Sequence, residues 1–287
     1  MKIGFIGAGK VGKAFGVYLH RNGVNIVGYN SQKLESAKTA ASLTSSGYYS
    51  KSEELINLCD LIFITTPDGV IKSVAEGVEL PSLTGKTFVH MSGAHSSQLL
   101  ESLKAKGAEM ASLHPIQSIA DVETSVAQLK STVFSVEGSE TAVEQLSDLM
   151  EQMNNTYFVI KSEQKTLYHM AACTVSNYLV TLVDMGLSMY ESIGIDREVA
   201  YKALYPLIRG TIENLKHMDT KEALTGPIAR GDINTVNAHL LAVHDKNTED
   251  FYRYLGKATV QMAKEKSNAD QEALGKLEEL LDDEVKS

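Results

Sequence analysis

The first twelve residues, Met1-Lys-Ile-Gly-Phe-Ile-Gly-Ala-Gly-Lys-Val-Gly12, constrain the fold more than any other stretch. Ile3, Phe5 and Ile6 predict a short buried strand that begins almost at the first residue. Gly7, Gly9 and Gly12 follow at G-x-G-x-x-G spacing, and Lys13 to Arg21 continues with helix formers and apolar Ala14, Phe15, Val17, Tyr18 and Leu19. In a dinucleotide-binding turn the first glycine permits the tight turn and the second lets backbone approach a pyrophosphate. The third lets helix and strand pack closely. The helix N-terminus then offers free N–H groups and a positive dipole end to phosphate. Three glycines alone are weak evidence. Here a strand precedes them, a helix follows, and Val24 to Tyr29 predicts a second strand, which is the context the motif requires. Gly7, Gly9, Lys10, Val11 and Gly12 are therefore candidate cofactor contacts.

At 287 residues and 43% hydrophobic, the chain is long and apolar enough for one large domain or two modest ones. A formal net charge of −9 argues against sequence-blind nucleic-acid binding. No apolar run reaches membrane-span length, and the start at Met1 lacks the charged and cleavable pattern of a secretory signal. Cys59 and Cys173 stand far apart with no C-x-x-C spacing. A reduced, soluble, cytoplasmic protein without nucleic-acid or membrane partners is expected.

Strand and helix patterns alternate as far as Ile160. The end of the second strand normally meets the adenosine ribose, where an NAD-specific site carries Asp or Glu. This chain has Asn30, Ser31, Gln32 and Lys33 there. Donors are present and no carboxylate opposes a 2′-phosphate, so NADP(H) is the expected cofactor. Asp60-Leu-Ile-Phe-Ile-Thr-Thr-Pro67 suits a strand buried on both faces of a parallel sheet. Its carboxyl end should place Thr65, Thr66, Pro67 and Asp68 on the cleft. The strand patterns at Lys86–Gly93 and Ala111–Gln117 should bring Ser92, His95, His114 and Gln117 to one edge, whereas His90 within the strand suits an ordinary core histidine. Strands at Thr132–Glu137 and Thr156–Ile160 flank a helix over Glu140–Gln152. The fold class expected is an α/β Rossmann domain, mostly parallel and doubly wound, over residues 1–161, followed by an all-α domain over 162–287.

In the second part, Gly194, Gly210 and Gly226 suggest loops, and Asn268 to Ser287 reads as a charged helix with Leu274, Leu277, Leu280 and Leu281 on one face. Along the helix that begins near Ser162, His169, Cys173 and Asn177 recur at i, i+4 and i+8. They line one face over about 12 Å. With Ser176 beside them, these groups offer proton transfer and hydrogen bonding where an apolar stripe is usual. Gly226-Pro227 breaks the helical pattern further on, and Arg230 next to Gly231-Asp232 could grip a carboxylate bidentately or pair with Asp232.

Gly7-Ala-Gly-Lys-Val-Gly12, Ser92-Gly-Ala94, Leu113-His-Pro115, Tyr168-His-Met-Ala-Ala172, Ser176-Asn177 and Leu224-Thr-Gly-Pro-Ile-Ala-Arg-Gly-Asp232 together resemble one family over nearly the whole chain. It joins a Rossmann-like N-terminal domain to a helical C-terminal domain long catalogued as of unknown function, and is related to 6-phosphogluconate dehydrogenase-like reductases. Pyrroline-5-carboxylate reductase and ketopantoate reductase are among those relatives. The resemblance implies an alternative NADPH-dependent ketopantoate reductase of pantothenate biosynthesis, reducing a 2-keto acid and pairing as a homodimer through its helical domain. The usual ketopantoate reductase places Lys on its first interdomain helix, with Asn four and eight residues later. Here His169 and Cys173 replace the first two and Asn177 matches the third, while Lys165 competes with His169 as proton donor. On this reading His169 and Asn177 are catalytic, and Ser92, His114, His169, Ser176, Asn177 and Arg230 bind substrate. Imine reduction, or NADP(H) binding without turnover in a regulatory protein, are the alternatives. No metal is expected, since the eight histidines form no cluster at ligand spacing.

Overall fold

The computed structural model describes residues 1–282. The chain divides into two compact units, Met1–Asn177 and Tyr178–Ser287. The first begins with β1 (Lys2–Ile6), α1 (Lys10–Arg21), β2 (Asn25–Asn30), α2 (Leu34–Leu43), β3 (Gly47–Tyr49), α3 (Ser52–Leu58) and β4 (Leu61–Ile64). It continues through α4 (Asp68–Glu76), β5 (Thr87–His90), α5 (Glu101–Lys104), β6 (Glu109–Pro115), α6 (Val122–Leu129), β7 (Phe134–Gly138), α7 (Glu140–Gln152) and β8 (Tyr157–Val159). The eight strands form one sheet in the order β3-β2-β1-β4-β5-β6-β7-β8. All neighbours run parallel except β6 and β7. The mostly parallel, doubly wound sheet is thus as expected, with its strand order reversing between β1 and β4, the place where such sheets bind ligands.

Burial explains the sequence pattern. Phe5, Phe63 and Ile64 have no solvent exposure, as befits strands covered by helices on both faces. On one face Phe5 stacks between Tyr29 and Phe63, with ring centroids 5.0 and 5.4 Å away. Phe15 of α1 meets Phe63 edge-on at 5.2 Å. This cluster seats α1 on the sheet and so aims its N-terminus at the β1–β4 switch.

Several expectations need correction. The helices α4 and α6 are additional to those read from periodicity. Their signals were capping residues rather than periodicity: Pro67 precedes α4, and the Asp121 carboxylate accepts from the Thr124 N–H to cap α6. Gln98 to Lys106, whose pattern after the Ser92–Ser96 loop suggests one helix, forms instead a 3₁₀ turn, Ser97–Leu100, running into the short α5.

After β8, a 3₁₀ turn leads into α8 (Lys165–Ser192), in which the two compact units divide. Within the second unit follow α9 (Arg197–His217), α10 (Thr220–Ala223), α11 (Ile233–Ala242), α12 (Lys246–Lys264) and α13 (Gln271–Asp282). Gly210 does not mark a loop. It lies inside α9, where helical backbone tolerates glycine at modest cost. Leu274, Leu277 and Leu281 are buried as one face of α13, and residues 283–287 of the expected tail helix lie outside the described residues. The expectation about membrane-span length also fails. Ser162–Ser192 is long and apolar enough to cross a membrane by length and composition, because interspersed Thr, Ser and Asn interrupt the apolar run without lowering its mean hydropathy far.

One packing contact tests this architecture. A Cβ on Gly16 would overlap the Tyr29 hydroxyl and lie 3.0 Å from Tyr29 Cζ, in a core with no exposure. Gly16→Ala should therefore lower stability by about 1–3 kcal/mol despite the better helix propensity of alanine. Adding Tyr29→Phe should restore part of the loss. Equal unfolding midpoints in urea for wild type and Gly16→Ala would contradict the packing.

Candidate active site

The glycine turn is built around β4. Gly7 has φ +108°, and a Cβ there would lie 2.7 Å from the Thr65 carbonyl carbon. Thr65 Oγ1 donates to the Gly7 carbonyl at 2.8 Å, and the Gly7 N–H donates to the Asn30 carbonyl at 2.8 Å. A Cβ on Gly12 would overlap Thr65 Oγ1 and lie 2.7 Å from the Gly7 carbonyl. Gly9 differs: nothing among the described residues lies within 4 Å of its Cβ position, and it caps α1 with no side-chain hydrogen bond. Two glycines are thus closed by protein packing, while the middle one is open beside uncapped helix N–H groups. That is the arrangement a pyrophosphate fits. Lys10 is exposed at the first position of α1, and Val11 packs partly into the core.

At the end of β2, Asn30 Nδ2 donates to the Tyr49 carbonyl at 3.0 Å, so this amide holds the β2–β3 edge. Ser31 is half-buried, Gln32 and Lys33 are exposed, and Lys33 precedes α2. These four positions carry no carboxylate, in keeping with a 2′-phosphate. Beyond β4, Thr65 is buried, Thr66 Oγ1 is buried without a partner among the described residues, and exposed Pro67 precedes α4.

The loop after β5 carries the next set. His90 is fully buried: its Nδ1 accepts from the Ser92 N–H at 3.2 Å, and its Nε2 lies 3.0 Å from the Ser96 carbonyl. Accepting at Nδ1 puts the proton on Nε2, which donates to that carbonyl. His90 is therefore a satisfied core histidine that ties the loop's two ends together, as its place in the strand suggested. Burial pushes it down to about 4. Ser92 Oγ donates to Asp68 Oδ2 at 2.8 Å and accepts from the N–H groups of Ala94 and His95 at 3.2 and 3.4 Å. Its hydroxyl thus binds the loop to the start of α4. His95 is exposed, and the Gln117 amide is spent on Ser125, Gln128 and Thr132.

Gly93 is where the histidines meet. A Cβ on it would sit 2.8 Å from His114 Nε2 and 2.9 Å from His169 Nδ1, so only glycine lets both rings close over this backbone. The rings cross edge-on with centroids 6.2 Å apart. His114, near the end of β6, holds Tyr168 Oη at 2.6 Å through Nδ1. Burial, reinforced by repulsion from Lys165, pushes His114 down to about 4, so the ring is neutral at physiological pH. His169 Nε2 lies 3.4 Å from Cys173 Sγ, whereas His169 Nδ1 is buried with no partner among the described residues. Such an atom fits a ligand's polar group.

Lys165, the rival proton donor, is 1% exposed, and its ammonium donates to Ser112 Oγ at 2.6 Å. Desolvation pushes it down to about 8, against the pull of buried Glu137. Glu137 is occupied in turn by the Ser97 N–H and the hydroxyls of Ser97 and Ser162, at 2.8, 2.8 and 2.5 Å. The Lys165 ammonium is therefore spent on Ser112, and His169 Nδ1 is the polar atom left without a partner among the described residues. Farther along α8, Ser176 and Asn177 are exposed. In the second unit Arg230 is exposed and makes no ion pair among the described residues. Asp232 instead caps α11, accepting from the Thr235 N–H at 3.0 Å and from its hydroxyl at 2.6 Å. Sequence spacing revealed the His169–Cys173 contact. It did not reveal Gly93, the Asp68–Ser92 bond or the Tyr168–His114 bond, which join residues 24 and 54 apart in the two hydrogen bonds.

The buried ammonium yields a pH test. Folding lowers the Lys165 value from 10.5 to about 8, so below pH 8 the folded state carries the whole cost of a desolvated charge. That cost, about 3 kcal/mol, is relieved as pH rises towards the unfolded value. The stability advantage of Lys165→Met over wild type should shrink by a comparable amount between pH 7 and 10.5 in urea denaturation. A constant difference would contradict the assignment.

Residues 1–115 match the family model of a Rossmann-like domain, and residues 132–259 match that of a domain of unknown function, DUF2520. No curated protein matches. Among solved structures, protein TM1727 from Thermotoga maritima is 26% identical with a TM-score of 0.74, covering 91% of this chain and 98% of that one. A Bacteroides fragilis protein described as an NADP oxidoreductase is 22% identical with a TM-score of 0.68, covering 92% and 98%. A Plasmodium falciparum pyrroline carboxylate reductase with NADP bound is 17% identical with a TM-score of 0.59, covering 98% of each chain. The chain therefore shares its fold with these proteins over nearly its whole length.

Proposed function

We propose that the protein is an NADPH-dependent reductase whose substrate is the 2-keto acid 2-dehydropantoate, which it converts to pantoate in pantothenate biosynthesis. The observation that carries the reductase reading is the meeting of His114 Nε2 and unpartnered His169 Nδ1 over Gly93, beside the carboxyl ends of β5 and β6. The NADP-bound and NADP-named structural neighbours support the cofactor, as do Asn30, Ser31, Gln32 and Lys33 with no carboxylate among them. The sequence resemblance supports ketopantoate among the keto acids.

NADPH, when bound, supplies the hydride that adds to the ketone carbon. Gly7, Gly9, Lys10, Val11 and Gly12 would hold the pyrophosphate, and Thr65, Thr66, Pro67 and Ser92 would border the dinucleotide. As the carbonyl becomes an alkoxide, a positioned acid must protonate it and fixed donors must stabilise it. His169 gives the proton to the carbonyl oxygen, because its Nδ1 is the free polar atom of the pair. His114 donates a hydrogen bond to the same oxygen, and Ser176 and Asn177 orient the substrate. Lys165 takes no direct part.

The protein acts in the cytoplasm as a homodimer paired through its helical unit. The support for pairing is the exposed apolar surface of α8 and α9, where Val180 is 70% and Leu207 66% exposed. Sedimentation at micromolar concentration should show a dimer, and a monomer would contradict the pairing.

Imine reduction is the second reading, favoured by the pyrroline-5-carboxylate reductase and imine reductase structures that share the fold. NADPH oxidation followed at 340 nm separates the readings. Turnover is expected with ketopantoate and not with pyrroline-5-carboxylate. His169→Ala should lower kcat on the ketone at least about 100-fold. Turnover of the imine alone would replace the substrate assignment, and a full-speed His169→Ala enzyme would remove the acid assignment. Tight NADPH binding without turnover of any keto acid or imine would favour a regulatory protein.

A further inference from the structure

His114 stands on a second residue whose placement is specific. The Tyr168 ring meets the His114 ring edge-on, with centroids 5.8 Å apart, and its hydroxyl lies 2.6 Å from His114 Nδ1. Lys165 Nζ sits 5.5 Å from the centre of the Tyr168 ring, where a cation is attracted to the π face. The ammonium is itself fixed by Ser112. Tyr168 thus meets the Nδ1 edge of His114, with Lys165 held against the Tyr168 ring.

The chemistry of the contact sets the proton's position. Imidazole nitrogen is a good acceptor, and a phenol is a better donor than acceptor. The Tyr168 hydroxyl therefore donates to Nδ1, which must carry the lone pair. In a neutral ring the proton then resides on Nε2. Nε2 is the atom next to Gly93, beside His169 Nδ1. We infer that Tyr168 is a positioning residue that holds His114 as the Nε2–H tautomer, so that the site presents a neutral imidazole donor beside the proton-donating His169. Its catalytic purpose rests on the reductase reading. The tautomer itself does not.

A neutral donor suits this place. A charged His114 next to His169 would repel the proton that His169 must hold. The charged and titratable groups facing His114 are Lys165, His169, Asp68 and His90, of which only Asp68 favours protonation. Losing the Tyr168 hydroxyl removes a bond that stabilises the neutral ring. Losing the Lys165 charge removes repulsion. Both changes should move His114 upward, towards the ordinary histidine range.

The test has two arms on the full-length protein. Nitrogen-15 NMR of the histidines, with His114 assigned by a His114→Gln variant, should show a protonated Nε2 and a bare Nδ1 at pH 7. Tyr168→Phe should mix the two tautomers. In the kinetic arm, Tyr168→Phe should lower kcat on the order of 10- to 100-fold, leave KM within about twofold, and bring the acid limb of the pH profile to higher pH. Lys165→Met should shift that limb the same way while keeping the Nε2–H tautomer. An Nδ1–H tautomer or a charged ring in the wild type would overturn the inference, as would an unchanged tautomer in Tyr168→Phe. If the wild type turns over no substrate, the reductase reading fails and the NMR arm alone decides the tautomer.

Discussion

The structure depends on the absence of space between the first turn and β4. Gly7 and Gly12 press against Thr65, whose hydroxyl bonds back to the Gly7 carbonyl at 2.8 Å. Any side chain at either glycine would separate β1 from β4 or lift α1 from the sheet. Because that contact is closed, the N-terminus of α1 is fixed at the strand-order reversal, and Gly9 is left open beside it. Phe5, Phe15, Tyr29 and Phe63 give the contact its rigidity from below. The site's position is a consequence of this packing, since the β5 and β6 loops must end where the adjoining parallel strands end.

The electrostatics of the site follow from a second constraint, a buried cation. Lys165 lies in the first unit at the start of α8 and finds Ser112 but, among the described residues, no carboxylate within ion-pairing distance. Buried charges usually demand direct pairing, and an unpaired one disfavours folding. Here the same charge helps keep His114 uncharged and steadies the Tyr168 ring. The cost in stability and the neutral donor arise from one side chain. Glu137 completes the arrangement at a distance, held by Ser97 and Ser162 rather than by the lysine. Natural proteins often place such locally unfavourable groups at functional sites.

Much of this was legible in the residues. Glycine spacing, the apolar run ending in Thr65-Thr66-Pro67, and the change of period after Ile160 all report local rules of strand and helix formation, and the sheet obeys them. His169 and Cys173 face each other because four residues make about one helical turn. What could not be read were contacts between residues distant in the chain. Ser92 looked like a substrate ligand, yet its hydroxyl is bound to Asp68, and Gln117 is tied to α6. Lys165 competed with His169 as proton donor, and only tertiary packing buries it against Ser112. Gly93 stands within Ser92-Gly-Ala94, yet nothing local distinguishes a glycine needed for space from one in an ordinary loop.

The central claim is that the switch-point cleft takes NADPH. Isothermal titration of the purified protein with NADPH and, separately, NADH addresses it most directly. One saturable site per chain is expected, with NADPH binding at least about tenfold more tightly than NADH, because a 2′-phosphate gains charge-assisted hydrogen bonds near Ser31 and Lys33. No binding of either dinucleotide, or tighter binding of NADH, would contradict it.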